Sequence, residues 1–217
     1  MLKLLPLLLA MLVSSAVRHG PRQEKQVALT FDACPTTGDG LDHGIVRALV
    51  EHEIPATVFV SGTWAERHPE HAWELAQHFE IGSHGHRHIW LDELAYEDVV
   101  AELRAAQTAI YAATGKRPSL FRPPSVRYDD DVLAAAEAVG LRTITYDVAS
   151  GDPDPHLQAS AIVRYVTWKA RGGSIVIFHI NGRGLTTAST LPRIATILRH
   201  RGYQLVTVSD LLERRKP

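Results

Sequence analysis

Three imidazoles fall within five residues in the stretch Gly82-Ser83-His84-Gly85-His86-Arg87-His88. His84 and His88 are four apart, so a helical turn would place both rings on one face, where they could chelate one divalent ion, while His86 would point elsewhere. The plain alternative is a histidine-rich surface loop. The stretch lacks the glutamate of His-Glu-x-x-His, so a zincin-type protease is not supported. Other apolar runs also end on reactive groups: Thr30-Phe31-Asp32-Ala33-Cys34-Pro35, Phe121-Arg122-Pro123-Pro124 and Ile175-Val176-Ile177-Phe178-His179. Taken singly, Asp32 could cap a turn, Arg122 could pair with any surface acid, and His179 could be a satisfied core residue. Four polar clusters at the ends of successive apolar runs are harder to set aside together.

These groups need elements to position them. Short β-branched runs at 26–31, 56–60, 81–83, 119–121, 142–146, 174–178 and 204–207 read as strands. Between them, amphipathic runs at 45–50, 64–79, 96–114, 130–139, 157–171 and 188–200 read as helices. About seven strands separated by helices imply one mainly parallel sheet covered by helices, closed as a barrel or open and doubly wound. In such folds ligand sites gather at the C-terminal ends of the strands, where the reactive groups lie. The first strand is not followed by Gly-x-Gly-x-x-Gly or a Walker pattern, which weakens a nucleotide hypothesis.

Composition narrows the classes further. With 217 residues, 45% hydrophobic and 22% charged, the chain is ordinary for a single globular domain, not a disordered or low-complexity one. Its 23 basic and 24 acidic side chains balance to −1, which leaves no footprint for nucleic acid. A lone Cys34 rules out an internal disulfide and cysteine-rich zinc or iron–sulfur frameworks. At the N-terminus, Lys3 precedes a Leu-rich run over 4–13 and the small residues Ser14-Ser15-Ala16, the shape of a secretory signal over 1–16. The expectation is an exported protein, periplasmic or extracellular, whose remaining domain covers 17–217 and has no membrane span. An uncleaved anchor is the alternative.

The ordered motifs resemble those of the polysaccharide deacetylases with the NodB homology domain, carbohydrate esterase family 4. Thr30-Phe31-Asp32 looks like the first motif, 84–88 the second, Arg122-Pro123-Pro124 the third, the segment 146–152 the fourth, and Ile177-Phe178-His179 the fifth. The resemblance covers nearly all of 17–217. It implies a distorted (β/α)7-type barrel in one domain, and a hydrolase that removes N-acetyl groups from a peptidoglycan- or chitin-like amino-sugar glycan. One divalent metal ion, zinc by expectation, would be held by an aspartate and two histidines and would polarise the acetamide oxygen. By the same resemblance Asp32 is the general base and His179 the proton donor to the leaving amine. Arg122 pairs with Asp152 and steadies Asp32, and the oxyanion meets a backbone N–H near Ser125.

The chain departs from that pattern at informative places. The first motif ordinarily carries a second aspartate as metal ligand, and here that position is Ala33. Asp42 is expected to complete the set with His84 and His88, and Asp39 is the alternative; Cys34, a softer donor, reads as a small core residue. Tyr-Gly after the prolines of the third motif is replaced by Ser125-Val126, and the tryptophan of the fourth by Pro153. Ile177 and Trp168 are left as expected walls of an acetyl pocket. Two other readings stay open: a carbohydrate-binding pseudoenzyme without a complete metal site, and a hydrolase of the same fold acting on O-acetyl esters or another C–N bond.

Overall fold

The computed structural model describes residues 15–36 and 40–213, so most of the segment 1–16, and Asp39, lie outside the described residues. The described chain forms eight parallel strands: β1 (Gln26–Ala33), β2 (Ala56–Val60), β3 (Glu80–Ser83), β4 (Leu120–Phe121), β5 (Arg142–Thr143), β6 (Val148–Ala149), β7 (Ser174–His179) and β8 (Gln204–Val206). Their order is β5-β4-β3-β2-β1-β7-β6, with β8 pairing β1. The run expected as one strand over 142–146 ends at Thr143, and the chain resumes as β6 on the opposite edge of the sheet. That connection forces curvature. Seven flat strands at ~4.8 Å spacing would hold their outer members ~29 Å apart, whereas five Cα steps from Thr143 to Val148 reach at most ~18 Å. The sheet is therefore curled into a half-barrel, with Val17 bridged to Ile144 at its open edge.

Eight helices accompany the strands: α1 (His43–Glu51), α2 (Gly62–Arg67), α3 (Pro69–His78), α4 (Tyr96–Thr114), α5 (Asp130–Ala138), α6 (Ala159–Lys169), α7 (Thr187–His200) and α8 (Val208–Leu212). The single helix expected over 64–79 is broken at His68-Pro69, because proline has no N–H to donate and disfavours helical backbone in the residue before it.

The two-residue period of the strands sorts their side chains into two cores. Val27, Leu29, Phe31 and Ala33 of β1, with Val176 and Phe178 of β7, join the main cluster beneath the helices, together with Ile45, Leu75, Ile162 and Leu191. Ala28 and Ile175 face inward and pack with Phe59, Leu120 and Ile144, closed off by Val208 and Leu211 of α8. Continuing the inward parity along β1 and β7 leads to Thr30, Asp32, Ile177 and His179. The apolar filling of the barrel thus gives way to polar groups at the C-terminal end of the strands.

Candidate active site

Asp32 closes the inward row of β1 and is 4% exposed. Its Oδ1 accepts from Arg122 Nη1 at 2.7 Å. Arg122, fully buried just after β4, also donates to Thr30 Oγ1 at 2.8 Å and to the Thr145 carbonyl at 3.4 Å, and its guanidinium lies 4.1 Å from the centre of the Phe59 ring. Burial pulls the Asp32 carboxyl upward in pKa, but Arg122, His84 and His179 together outweigh it and the net shift is downward. The site therefore holds an ionised carboxylate away from bulk water.

The expected partnership of Arg122 with Asp152 is not what the structure shows. Asp152, 2% exposed, is filled by other donors: His179 Nδ1 and Ser150 Oγ on Oδ1, and the His179 amide and Thr187 Oγ1 on Oδ2, all between 2.8 and 3.0 Å. Both terminal nitrogens of the guanidinium are taken up by Asp32, Thr30 and the Thr145 carbonyl, so the two buried carboxylates have separate partners, Asp32 with Arg122 and Asp152 with His179. With Nδ1 held by Asp152, the His179 ring keeps Nε2 for the cleft.

His84 and His88 meet at 4.9 Å between ring centres, but without the helical turn that their spacing suggested. The segment is a loop in which Gly85 and His88 both adopt left-handed backbone, with φ of 72° and 58°. His86 points away and packs over Gly62, where an added Cβ would lie within 2.2 Å of its Nδ1. His84, 3% exposed, donates through Nδ1 to the Arg122 carbonyl at 2.8 Å, which leaves Nε2 bare and 3.5 Å from Asp32 Oδ2. Burial drives the pKa of His84 down, and burial followed by the neighbouring His84 charge lowers His88 to about 4. Both shifts favour the neutral rings that metal ligation requires.

The third donor near these rings is Cys34. Its Sγ and the ligand nitrogens of His84 and His88 all lie within 4.8 Å of one another. Two neutral imidazoles and a thiol that can ionise fit a divalent ion, which at ~2.0–2.3 Å from each donor would draw them closer by ordinary side-chain movement. Asp42, expected here, is placed elsewhere: it is the N-cap of α1, and its Oδ1 accepts from the amides of Gly44 at 2.9 Å and Ile45 at 3.2 Å. Asp39 lies outside the described residues.

Asp32, Cys34, His84, His88 and His179 line one cleft of about 300 Å³, together with Pro123, Ser125, Val126, Tyr146, Ile177 and the segment 149–153. Ser125 and Val126 are both left-handed, with φ of 54° and 56°, a strained conformation for a β-branched residue. Ile177 faces the cleft as expected. Trp168 does not: it is 70% exposed on α6, whose buried stripe is Ile162, Val163, Val166 and Thr167, and it lines a separate groove with Tyr165 on the far side of 149–151.

Several contributors carry little signal in the sequence. Thr30, Ser150 and Thr187 hold the two pairs in place, and Asn181 and Arg183 flank Cys34. Thr30 and Asn181 sit two residues from charged motif positions, which is a usable signal; Thr187, at the start of α7, carries none. Away from the cleft, ligand atoms of His43, His71 and Glu74 also come within 4.8 Å of one another on the surface formed by α1 and α3.

The family model described as polysaccharide deacetylase matches residues 19–144. That span stops short of Asp152 and His179, which the fold nevertheless delivers to the same cleft as Asp32. The chain is similar to a peptidoglycan-N-acetylglucosamine deacetylase of Bacillus cereus, with 31% identity over 202 residues, 88% of this chain and 90% of that protein. It is also similar to a peptidoglycan-N-acetylglucosamine deacetylase of Listeria monocytogenes, with 30% identity over 191 residues, and spans only 39% of that longer protein while 88% of this chain is covered. Among solved structures, a carbohydrate esterase family 4 pseudoenzyme from Bacillus anthracis shares the fold at a TM-score of 0.85 and 24% identity, covering 94% of this chain and 70% of that one.

Proposed function

The chain belongs to the polysaccharide deacetylase family, and from that premise we propose that it is a metal-dependent hydrolase that removes N-acetyl groups from an amino-sugar glycan of the peptidoglycan or chitin type. The observation that carries this reading is the presence in one cleft of two separately buttressed acid–base groups, Asp32 on Arg122 and His179 on Asp152. Amide hydrolysis needs both, one to accept a proton from the attacking water and one to give a proton to the departing amine.

Asp32 is the base. Arg122 occupies one carboxylate oxygen, which leaves the other, Oδ2, for the water. His179 is the acid, with Nδ1 fixed by Asp152 so that a proton on Nε2 points to the cleft. The Ser125 amide is the candidate oxyanion donor; its neighbour cannot serve, because the Val126 N–H is spent on the Pro123 carbonyl at 3.0 Å. Ile177 and Tyr146 supply walls for the acetyl methyl group. A divalent ion held by His84 and His88 would supply Lewis-acid polarisation of the acetamide carbonyl.

The relatives named as peptidoglycan-N-acetylglucosamine deacetylases support a glycan of the cell envelope as substrate. Near-neutral net charge suits a sugar polymer better than a polyanion. Export follows from the signal-like pattern over 1–16, and cleavage after Ala16 would expose Val17, the residue bridged to the sheet. Ala33 motivates the second reading, a glycan-binding pseudoenzyme, because alanine offers no ligand where the family pattern has one. The retained Asp32, Arg122, Asp152 and His179 weigh against it, since glycan binding alone gives no reason to bury these pairs.

The test is acetate release from N-acetylglucosamine oligomers and from peptidoglycan by zinc-loaded protein, beside O-acetylated xylan. Release from the N-acetylated glycans supports the proposal. Release from xylan alone moves the activity to ester hydrolysis, and glycan binding without any release establishes the pseudoenzyme.

A further inference from the structure

We propose that Cys34 is the third protein donor to the metal, so that one thiolate and two imidazoles hold the ion, and that this donor set selects zinc over magnesium, calcium and manganese. The inference rests on the metal-dependent reading above and names the ligands this particular chain brings to it.

Strand parity puts the sulfur there. Ala33 lies in the main core beneath the helices, whereas Asp32 and Cys34 share the inward face and both line the cleft. Cys34 is 1% exposed, yet its Sγ is not packed solely against apolar atoms: it stands within 4.8 Å of the ligand nitrogens of both His84 and His88. The Arg122 carbonyl fixes the His84 tautomer so that the bare Nε2 is the ligand atom, the type of carbonyl support common behind metal-bound histidines.

The sulfur has its own support. The buried Asn181 amide donates to the Cys34 carbonyl and approaches Sγ at 3.6 Å, and the Arg183 guanidinium adds a positive charge and a hydrogen bond to the same sulfur. Burial and the nearby Asp32 carboxylate push the Cys34 thiol up to about 11 against the pull of Arg183 and Asn181, so the thiolate forms only as an ion takes the place of the proton. Asp42 offers no comparable placement, since its Oδ1 is engaged by two amides of α1 and its own backbone N–H is tied to the Ile180 carbonyl at 2.9 Å.

Binding breaks the Cys34 S–H bond, forms a sulfur–metal bond and passes the proton to solvent, with no change of oxidation state. Three protein donors leave a position for water and substrate on a four-coordinate ion. A thiolate in place of a carboxylate makes the site softer, which is the basis for the preference for zinc over harder ions.

Cobalt(II) provides a probe independent of turnover, because thiolate ligation gives an intense near-ultraviolet sulfur-to-cobalt charge-transfer band that carboxylate and imidazole ligands do not. The full chain, stripped with a chelator and reloaded with cobalt, is expected to show the band, and His71→Ala should retain both the band and one equivalent of cobalt, so that the ion counted is not one held by the surface cluster. Cys34→Ser should abolish the band and weaken zinc binding at least ~100-fold, since loss of even an outer-shell partner commonly costs 10–100-fold. Cys34→Asp should recover zinc binding without the band. Zinc should also stay bound against excess magnesium, calcium or manganese.

Cobalt bound stoichiometrically without the band would overturn the inference, as would loss of zinc in Asp42→Asn or Asp39→Asn with Cys34→Ser unaffected. Failure of the stripped wild-type chain to retain any ion overturns it too. Acetate release in the same samples judges the deacetylase reading separately: a chain that shows the band yet releases no acetate keeps the thiolate site and loses the enzyme.

Discussion

Replacing Arg122 with methionine tests the most buried Arg–Asp pair among the described residues. The guanidinium is fully buried and donates three side-chain hydrogen bonds, the shortest to Asp32 at 2.7 Å. Methionine approximates its volume but leaves the Asp32 carboxylate buried without that partner. Breaking a buried pair from one side costs about 3–5 kcal/mol. For a domain of this size each kcal/mol corresponds to about 2–4 °C, so the melting temperature should fall by about 6–20 °C. The deficit should shrink at low pH, because protonating Asp32 removes the uncompensated charge. Urea unfolding of wild type, Arg122→Met, Asp32→Asn and the double variant closes a cycle in which the double variant should be less destabilised than the two single losses added together, by about 1–3 kcal/mol. A loss below ~1 kcal/mol for Arg122→Met, or simple additivity in the cycle, would refute the reasoning.

Three smaller effects follow from the same geometry. Asp42→Ala removes the cap of α1 and should cost about 1 kcal/mol in denaturant unfolding while leaving zinc affinity unchanged, the reverse of the behaviour of a metal ligand. Val126→Gly relieves a β-branched residue at φ 56° and should stabilise the fold by about 0.5–1 kcal/mol, because the strain relieved exceeds the entropy that glycine loses; a net loss would show that the strained turn is held for another reason. In the metal-free chain His88 is lowered from 6.5 to about 4, so between these values the unfolded state binds more protons than the native state. Stability contributed by the neutral ring is thus present above pH 6.5 and lost as pH falls towards 4. After discounting for the ring's partial exposure, about 1–2 kcal/mol should disappear across that window, and His88→Asn should flatten the slope.

How far the site could be read from sequence depended on what held each residue. Asp32, His84, Arg122 and His179 were legible because each interrupts or ends an apolar strand, and strand ends have one address in a parallel α/β fold. The pairings were not legible. Arg122 could reach either buried aspartate in principle, and only the curvature that brings Thr30 and Thr145 beside it decides for Asp32. Cys34 reads as core because a cysteine after a buried strand usually is; the parity that turns Asp32 inward turns Cys34 inward as well, and that parity is the usable signal. Trp168 was misplaced for the opposite reason. Its helix is amphipathic, but periodicity does not say which side of 149–151 the outward face looks upon. The break at His68-Pro69 was readable from the proline, whereas the split of 142–149 between opposite edges of the sheet follows from closure, a non-local property.

The most direct measurement of the central claim is acetate release by Asp32→Asn from N-acetylglucosamine oligomers, with zinc content and thermal unfolding recorded on the same sample. The substitution keeps the shape of the side chain and removes the base, so turnover should fall by about 10²–10⁴-fold while zinc remains bound and the fold persists. Wild-type turnover from a folded, zinc-loaded Asp32→Asn protein would contradict the account.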